Sequence, residues 1–253
     1  MKLQIPSTPS TNTLLTQLLA DGSLDQFLKE NNQTRDLFTL YTYNQTAGRG
    51  QAGNHWESEP NKNLTFSTLF DITDIHVENQ FVLSQIVPLA IKNVLQPLLK
   101  DTTEKIRIKW PNDIYYGDKK LGGILIEHSI IDGKISYSIA GIGLNINQTI
   151  FLSDAPNPVS LKQITGREYN LDITLDQIIA EFKRLKPLIY QPAELKSLYM
   201  NDLYRTDNYY KFKSSNKIFE AQITDVASNG LITMTTKDNT KLTFAFKEVS
   251  YII

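Results

Sequence analysis

The sequence contains no cysteine in its 253 residues. Without thiols the chain cannot form a disulfide framework, a thiolate metal site or a thioester on the protein. It also lacks an excess of charge, because 26 Lys and Arg residues face 27 Asp and Glu residues and leave a formal net charge of −1. Nucleic-acid binding normally depends on a basic surface, so we expect no nucleic-acid partner.

Long apolar runs are missing as well. The first nine residues, Met1–Pro9, contain no apolar stretch of the length that a signal peptide requires. The most apolar segment, 81–99, is interrupted by Gln85, Pro88 and Lys92. It therefore predicts a buried helix rather than a membrane span. We expect a cytoplasmic protein with no membrane partner.

What is present is the composition of a soluble globular protein, with 41% apolar and 21% charged residues. The length fits one large domain, or one large and one small domain. From about residue 207 the chain consists of five short alternating segments separated by turn residues, which predict a small β-barrel. We therefore predict a first domain of residues 1–206 and a barrel of residues 207–253. The barrel carries no catalytic constellation and is interpreted as a structural or docking module.

The hydrophobic periodicity of the first domain predicts both strands and helices. Strands are predicted at 37–43, 64–70, 105–110, 114–116, 121–131 and 134–146. Helices are predicted after a Ser10-Thr11-Asn12 cap, at 78–100, at 174–190 with Thr174 as its cap, and at 193–204. A cap can also offer free N–H groups to a polar ligand.

The segment 105–127 predicts a cationic hairpin. Lys105, Arg107 and Lys109 alternate with apolar residues, so one face packs on a core while the other presents three cations. Pro111-Asn112-Asp113 then interrupts the strand. Gly122 and Gly123 lie inside the next strand, where glycine indicates the close approach of a ligand or another backbone. Gly141, Gly143 and Asn145 share one face of the strand at 134–146 in the same way.

The loop 44–56 contains the pattern G-x-G-x-x-G at Gly48, Gly50 and Gly53. The dinucleotide-binding interpretation fails, because a second strand and not a helix follows the loop. A Walker loop fails too, because Asn54-His55 stands where Lys and Ser or Thr are required. Two interpretations remain: an anion-binding nest with Arg49 as its charged clamp, or a flexible surface loop with a solvated arginine. Trp56 is either ordinary core or an aromatic plate for a flat ligand.

Three motifs occur in order along the chain: Gln45-Thr-Ala-Gly-Arg-Gly-Gln51, Lys109-Trp-Pro-Asn-Asp113 with Lys119-Lys-Leu-Gly-Gly-Ile-Leu-Ile-Glu127, and Gly141-Ile-Gly-Leu-Asn145. Together they resemble the biotin protein ligases, and Ser10-Thr11-Asn12 resembles that family's first biotin-contacting segment. The resemblance spans essentially the whole chain. It implies an α/β (α+β) fold with a central mixed sheet flanked by helices, related to class II synthetases and lipoate ligases, with a C-terminal SH3-like β-barrel.

The resemblance also implies a two-step reaction. Biotin and ATP, with Mg²⁺, form biotinyl-5′-adenylate, and the biotinyl group then passes to a lysine of a biotin carboxyl carrier protein domain. Such chemistry needs fixed cations and a metal rather than a protein nucleophile. An exposed sheet edge would allow a homodimer, and the sequence leaves the oligomeric state open.

The family's site residues transfer to matching positions of this sequence. Biotin binding is assigned to Ser10, Thr11, Asn12, Gln45, Arg49, Gly50, Gln51, Lys120, Gly123 and Gly141. Nucleotide binding is assigned to Gly48, Arg49, Trp56, Asn112 and Asn145. Arg49, Lys109 and Lys120 are the catalytic cations, and Asp113 is assigned as a Mg²⁺ ligand or an orienting group. Gly123 and Gly141 are expected to leave room for the biotin bicycle.

The sequence departs from the family's pattern in two ways. Gln51 stands where many members carry a second arginine, so retention of the adenylate is expected to be weaker. The catalytic motifs begin at residue 10, which implies a monofunctional ligase without the N-terminal DNA-binding domain of bifunctional members. The alternatives are a lipoate ligase, which shares the fold and the adenylation chemistry, and a non-catalytic sensor of biotin or its adenylate.

Overall fold

The structure, a computed structural model, describes residues 1–100, 102–153 and 155–253. Its α-helices are α1 Thr11–Ala20, α2 Ser23–Glu30, α3 Val82–Leu95, α4 Leu161–Thr165, α5 Leu171–Leu185 and α6 Pro192–Asp202. The strands of the first part are β1 Lys2–Gln4, β2 Thr39–Thr42, β3 Gly48–Arg49, β4 His55–Trp56, β5 Leu64–Phe70, β6 Ile75–His76, β7 Ile106–Lys109, β8 Asp113–Tyr116, β9 Lys119–Ile131 and β10 Lys134–Leu144. The last five are β11 Tyr210–Ser214, β12 Lys217–Val226, β13 Ile232–Thr236, β14 Lys241–Phe244 and β15 Ser250–Tyr251.

Eight strands form one central mixed sheet in the order β1-β2-β5-β10-β9-β8-β7, with β6 also paired to β10. Among the described strand pairs of this sheet, β1–β2 is parallel and the others are antiparallel. The predicted hairpin turn between β9 and β10 is confirmed, because both Asp132 and Gly133 have positive φ. The predicted central mixed sheet flanked by helices is therefore confirmed.

The two faces of the sheet bury different helices, because successive side chains of a strand point to opposite faces. On β5, Phe70 belongs to the large apolar cluster with residues of α3, α5 and α6, whereas Leu69 belongs to a smaller cluster with Leu15 of α1. The helices α1 and α2 cover only part of this second face. The uncovered part, over β9 and the end of β10, is where the predicted site residues come together.

The apolar segment predicted as a buried helix is confirmed as the core helix. The stretch Val77–Leu99 is long and apolar enough to cross a membrane by length and composition, but 61% of its most apolar window is buried inside the protein. Its central part, α3, packs against α5 and α6. The core therefore accounts for its hydrophobicity.

The C-terminal strands form a five-stranded antiparallel sheet in the order β14-β13-β12-β11-β15. The five predicted strands are confirmed, and closure into an SH3-like barrel stays a prediction. This sheet shares its core with the first part of the chain, since Phe212 and Met234 belong to the same apolar cluster as Phe66. Trp110 Nε1 also donates to the carbonyl of Gly230 at 2.9 Å. The C-terminal sheet is thus packed directly on the hairpin that carries the cations.

Two details of the helices differ from the sequence predictions. Helix α5 is capped by Asn170, whose side chain accepts from Ile173 N at 3.0 Å, and not by Thr174. Thr174 lies inside the helix, where its hydroxyl donates to the carbonyl of Asn170 at 2.8 Å. Helix α2 has no counterpart among the predicted elements. Its signal is the helical spacing of Leu24, Phe27 and Leu28, which pack on the smaller cluster.

Tyr199 of α6 provides a test of core packing. It is fully buried, its ring meets the edge of Phe81 at 5.7 Å, and its hydroxyl has no hydrogen-bond partner among the described residues. An unpaired buried hydroxyl costs about 1–3 kcal/mol. We expect Tyr199→Phe to raise the free energy of unfolding by about 1 kcal/mol and Tyr199→Ala to lower it by about 3–5 kcal/mol, measured by urea denaturation. A less stable Tyr199→Phe variant would mean that the hydroxyl is paired.

Candidate active site

A cavity of about 460 Å³ lies over the open part of the central sheet. Its walls come from five parts of the chain that are distant in sequence: the start of α1, the loop 45–56, the β7–β9 hairpin, the end of β10 and the segment 246–251. The sheet order explains this convergence, because β10 lies between β5 and β9. The described residues therefore place all the predicted motifs around one cavity.

Most of the residues that the sequence singles out line this cavity. They are Ser10, Thr11, Asn12, Gln45, Arg49, Gly50, Gln51, Trp56, Lys109, Asn112, Asp113, Lys120, Gly123 and Gly141. Gly48 and Asn145 do not. Gly48 is packed behind the wall, where a Cβ atom would come within 2.7 Å of Gln45 Nε2. Asn145 is buried and its Nδ2 donates to the carbonyl of Val159 at 3.2 Å, so it ties the end of β10 to the following chain.

The start of α1 forms a polar wall of fixed geometry. Ser10 caps the helix, and its side chain accepts from Thr13 N at 3.4 Å. Thr11 N donates to Gln45 Oε1 at 3.0 Å, which joins the helix to the loop 45–56. From the sheet beneath, Ser67 Oγ lies 2.7 Å from Thr11 Oγ1 and 2.5 Å from Asn12 Oδ1. These contacts hold hydroxyl and amide groups in defined orientations before any ligand arrives.

The glycines of the sheet make room for protein side chains. A Cβ atom at Gly141 would collide with the amide of Asn12, and one at Gly143 would collide with the indole of Trp56. At Gly123 the added Cβ would lie 3.3 Å from Trp56 Cζ3. The close approach indicated by these glycines is therefore that of Asn12 and Trp56. The expectation that Gly123 and Gly141 make room for a bicyclic ligand stays a prediction.

Each of the three predicted cations has a different partner. Arg49 Nη2 lies 3.2 Å from both carboxylate oxygens of Glu127. Lys120 Nζ forms an ion pair with Asp113 Oδ1 at 2.7 Å. The Nζ atom of Lys109 lies over an aromatic ring, 4.7 Å from the centroid of Tyr115.

Burial changes the acidity of one of these cations. The pKa of Lys109 is lowered because its ammonium group is desolvated, an effect that Asp113 opposes and that Lys120 and Arg205 reinforce. Lys109 Nζ also donates to the hydroxyl of Tyr115 at 3.3 Å.

All three cations face one cavity, so a ligand with two negatively charged groups would meet fixed positive charge.

Two polar atoms in the loop 45–56 are left without a partner. Trp56 Nε1, a donor, and Gln51 Oε1, an acceptor, are buried and make no hydrogen bond within residues 1–100, 102–153 and 155–253. Both residues line the cavity. Because an unpaired buried polar atom is costly, this pair favours a polar ligand as the missing partner.

The C-terminal sheet supplies a wall that the sequence does not predict. Phe246, Lys247 and Tyr251 line the cavity with their neighbours. The ring of Tyr251 lies 4.9 Å from Lys109 Nζ, and Phe246 meets Trp110 edge-on at 6.3 Å. No motif in residues 207–253 marks these positions, because their role depends on the docking of the sheet. The module interpreted as structural or docking thus also borders the site.

The fold is a mixed sheet with α3, α5 and α6 on one face and, on the other face, α1 and α2 beside a polar, cation-lined cavity. Residues 5–145 match the family model described as biotin/lipoate A/B protein ligase family. The chain belongs to this family.

Individual relatives agree with the family assignment. Over 102 residues, 40% of this chain and 30% of the relative, the sequence is 35% identical to the bifunctional ligase/repressor BirA of Escherichia coli. Over 144 residues, 57% of this chain and 48% of the relative, it is 29% identical to the biotin–[acetyl-CoA-carboxylase] ligase of Mycobacterium tuberculosis. The matched segment therefore spans only about a third to a half of the length of these curated relatives.

Solved structures resemble the whole chain in fold. The biotin protein ligase from Aquifex aeolicus, in complex with biotin and ATP, superimposes with a TM-score of 0.72 at 22% identity. The match covers 98% of this chain and 97% of that structure. The similarity includes the C-terminal sheet, so both parts of the fold occur together in that protein.

Proposed function

We propose that the protein is a biotin protein ligase. It joins biotin to ATP, forming biotinyl-5′-AMP and releasing pyrophosphate, and then transfers the biotinyl group to a lysine amine of a carrier protein, releasing AMP. The observation that carries this proposal is the convergence of Arg49, Lys109 and Lys120 on one cavity in a member of this family.

The cations answer the main electrostatic problem of the first step. The biotin carboxylate attacks the α-phosphorus of ATP, so two negatively charged groups must meet. Arg49 and Lys120 are proposed to bind the carboxylate and the α-phosphate, and Lys109 supplies a third positive charge nearby. Fixed cations in a partly buried site stabilise the developing charge without having to reorganise during the reaction.

The polar wall at the start of α1 is proposed to hold the ureido ring of biotin. A ureido group carries one carbonyl acceptor and two N–H donors, and the wall offers hydroxyl and amide partners for them. These partners are Ser10, Thr11, Asn12 and Gln45, with Gly50 and Gln51 on the adjoining loop. The valeryl chain would then point along the cavity toward Arg49 and Lys120, over Gly123 and Gly141.

The nucleotide is proposed to lie on the other side of Trp56. The indole of Trp56 offers a flat apolar surface for adenine and an unpaired N–H group. Asn112 is a proposed polar contact of the nucleotide, although its Nδ2 is already bonded to the carbonyl of Ile124. Gly48 and Asn145 act behind the wall, by allowing the loop to pack and by fixing the end of β10.

A magnesium ion would be held mainly by the substrate. No group of three or more metal-binding side chains occurs in the described part of the chain. Mg²⁺ commonly uses one or two carboxylates together with the phosphates of a nucleotide, so Asp113 at the cavity wall fits as a single protein ligand. When bound, the ion would neutralise phosphate charge, while Lys120 orients the Asp113 carboxylate through their 2.7 Å contact.

The remaining assignments concern the acceptor protein, the domain boundaries, the cellular location and the oligomeric state. One matched relative is named as a ligase of acetyl-CoA carboxylase, and we infer that the acceptor here is a biotin carboxyl carrier domain of a biotin-dependent carboxylase. We place the catalytic domain at residues 1–206 and the C-terminal module at 207–253. Cytoplasmic location and formation of a homodimer are further parts of the proposal.

The test is ATP–pyrophosphate exchange measured with purified protein and with biotin or lipoate as the acid. We expect exchange with biotin and none with lipoate, followed by transfer of labelled biotin to a carrier domain with its acceptor lysine intact. A carrier with that lysine replaced by arginine is the matched control. Exchange with lipoate alone would assign the protein to the lipoate branch, and tight biotin binding without exchange or transfer would indicate a sensor.

A further inference from the structure

The carboxylate of Glu127 contacts two of the five parts of the chain that surround the cavity, the start of α1 and the loop 45–56. It lies near the middle of β9, on the same face as Gly123 and Leu125. One of its oxygens, Oε2, accepts from Asn12 Nδ2 at 2.8 Å, and both oxygens lie 3.2 Å from Arg49 Nη2. It therefore joins the start of α1 to the loop 45–56.

The contact with Arg49 leaves most of the guanidinium free. Both carboxylate oxygens of Glu127 meet the same nitrogen, Nη2. The Nη1 and Nε groups of Arg49 have no protein partner among the described residues. An arginine that is held at one nitrogen keeps its other donors for a bound carboxylate or phosphate.

The contact with Asn12 fixes which way its amide points. Asn12 Nδ2 donates to Glu127 and to the carbonyl of Leu125, and Asn12 Oδ1 accepts from Ser67. Rotating the amide by 180° would set the nitrogen against the serine hydroxyl and the oxygen against the Glu127 carboxylate. Glu127 thus prevents the exchange of donor and acceptor on the wall.

Stability does not explain this arrangement. The side chains of Arg49 and Glu127 are 47% and 38% exposed, and exposed ion pairs contribute little to folding. We propose that Glu127 is a positioning residue that holds Arg49 and Asn12 in the orientation that binds the acid substrate. This inference rests on the proposed function, because it assigns a role to a neighbour of the same site.

A double-mutant cycle tests the contact with Arg49. Glu127→Gln, Arg49→Ala and the double variant are compared with wild type by calorimetric titration with the acid that the wild-type protein binds, biotin or lipoate. We expect Glu127→Gln to raise the Kd about 10-fold, because misplacing a binding group by about 1 Å costs up to about 10²-fold. In the Arg49→Ala background the same change should alter the Kd less than about twofold.

The variant Glu127→Ala tests the contact with Asn12 separately from the contact with Arg49. Glutamine can still accept from Asn12, whereas alanine cannot, so we expect Glu127→Ala to weaken binding further and to keep a clear effect in the Arg49→Ala background. Asp74→Asn is the control, because it removes an exposed ion pair with Lys134, and neither residue lines the cavity. Its Kd should equal that of wild type, and the unfolding midpoints of Glu127→Gln and Asp74→Asn should agree.

Two outcomes would overturn the inference. Tighter binding in Glu127→Gln would show that Glu127 competes with the ligand for Arg49, and equal effects of Glu127→Gln with and without Arg49 would show that it does not act through Arg49. Binding of the acid and ATP–pyrophosphate exchange are measured in separate assays. Wild-type protein that binds biotin without catalysing exchange would count against the proposed function and leave the cycle interpretable.

Discussion

Arg49→Ala and Lys120→Ala are each expected to lower the rate of adenylate formation by about 10²–10³-fold, because removing one fixed electrostatic stabiliser of a transition state typically has this effect. Both side chains line the same cavity, and each reaches it from a different segment of the chain. The measurement is biotin-dependent ATP–pyrophosphate exchange at saturating ATP. Lys119→Ala is the matched control, because Lys119 precedes Lys120 on β9, is exposed and does not line the cavity.

The Lys120 variant needs one further comparison. Its removal leaves Asp113, whose side chain is 18% exposed, without its ion-pair partner, so part of the loss could arise from a misplaced carboxylate. Asp113→Asn alone measures what loss of the carboxylate costs, and Lys120→Ala should lower the rate more than Asp113→Asn, because it removes a fixed cation as well as the partner of Asp113. Turnover like that of wild type in either single alanine variant would remove that residue from the proposed site.

Alanine at the glycines beneath Asn12 and Trp56 should produce a graded loss of function. Gly141→Ala should have the largest effect, raising the Kd for biotin by about 10²-fold. Its Cβ would collide with Asn12, whose amide is held by Ser67, Leu125 and Glu127 and cannot move cheaply. Binding is measured by calorimetry.

Gly143→Ala should act on Trp56, because the added Cβ would collide with the indole. We expect a lower exchange rate and a change in tryptophan fluorescence, which reports on two tryptophans only. Gly123→Ala, with its Cβ at 3.3 Å from Trp56 Cζ3, should have the smallest effect of the three.

In the three glycine-to-alanine variants, a loss of folding must be distinguished from a loss of binding. If Gly141→Ala does not fold, the double variant Asn12→Ala with Gly141→Ala, in which the colliding amide is gone, should fold and still bind biotin weakly. Equal effects of alanine at positions 123, 141 and 143 would contradict the structural explanation, because the spaces above the three glycines differ.

The local elements follow from short-range patterns in the sequence. The alternation of Ile106 and Ile108 with Arg107 and Lys109 predicts β7, and its burial alternates as expected. Ser10 predicts the start of α1, since a serine before an apolar periodic run can cap the first turn. Where two caps compete, the sequence is ambiguous: Asn170 and Thr174 can both cap a helix, and α5 begins after the earlier one, whose side chain accepts from Ile173 N.

The sequence predicts most of the assigned residues that line the cavity, but it does not predict which of them touch. Motif residues such as Arg49, Lys109 and Lys120 line one cavity, as their assignment requires. Glu127 belongs to one of the motifs, but the motif assigns it no role. Tyr251 lies in a segment that contains no motif. Neither contact has a local signal, because Glu127 is 78 positions from Arg49 and Tyr251 reaches Lys109 from another sheet.

By itself, the sequence determined the chemical groups and the elements that carry them, because caps, turns and period-two patterns depend on neighbours a few residues apart. The tertiary structure alone decided which groups meet. The strand order sets β10 between β5 and β9, which brings Ser67, Gly141 and Leu125 side by side beneath Asn12. Long-range strand pairing and burial fix these distances, and no short segment of the chain contains that information.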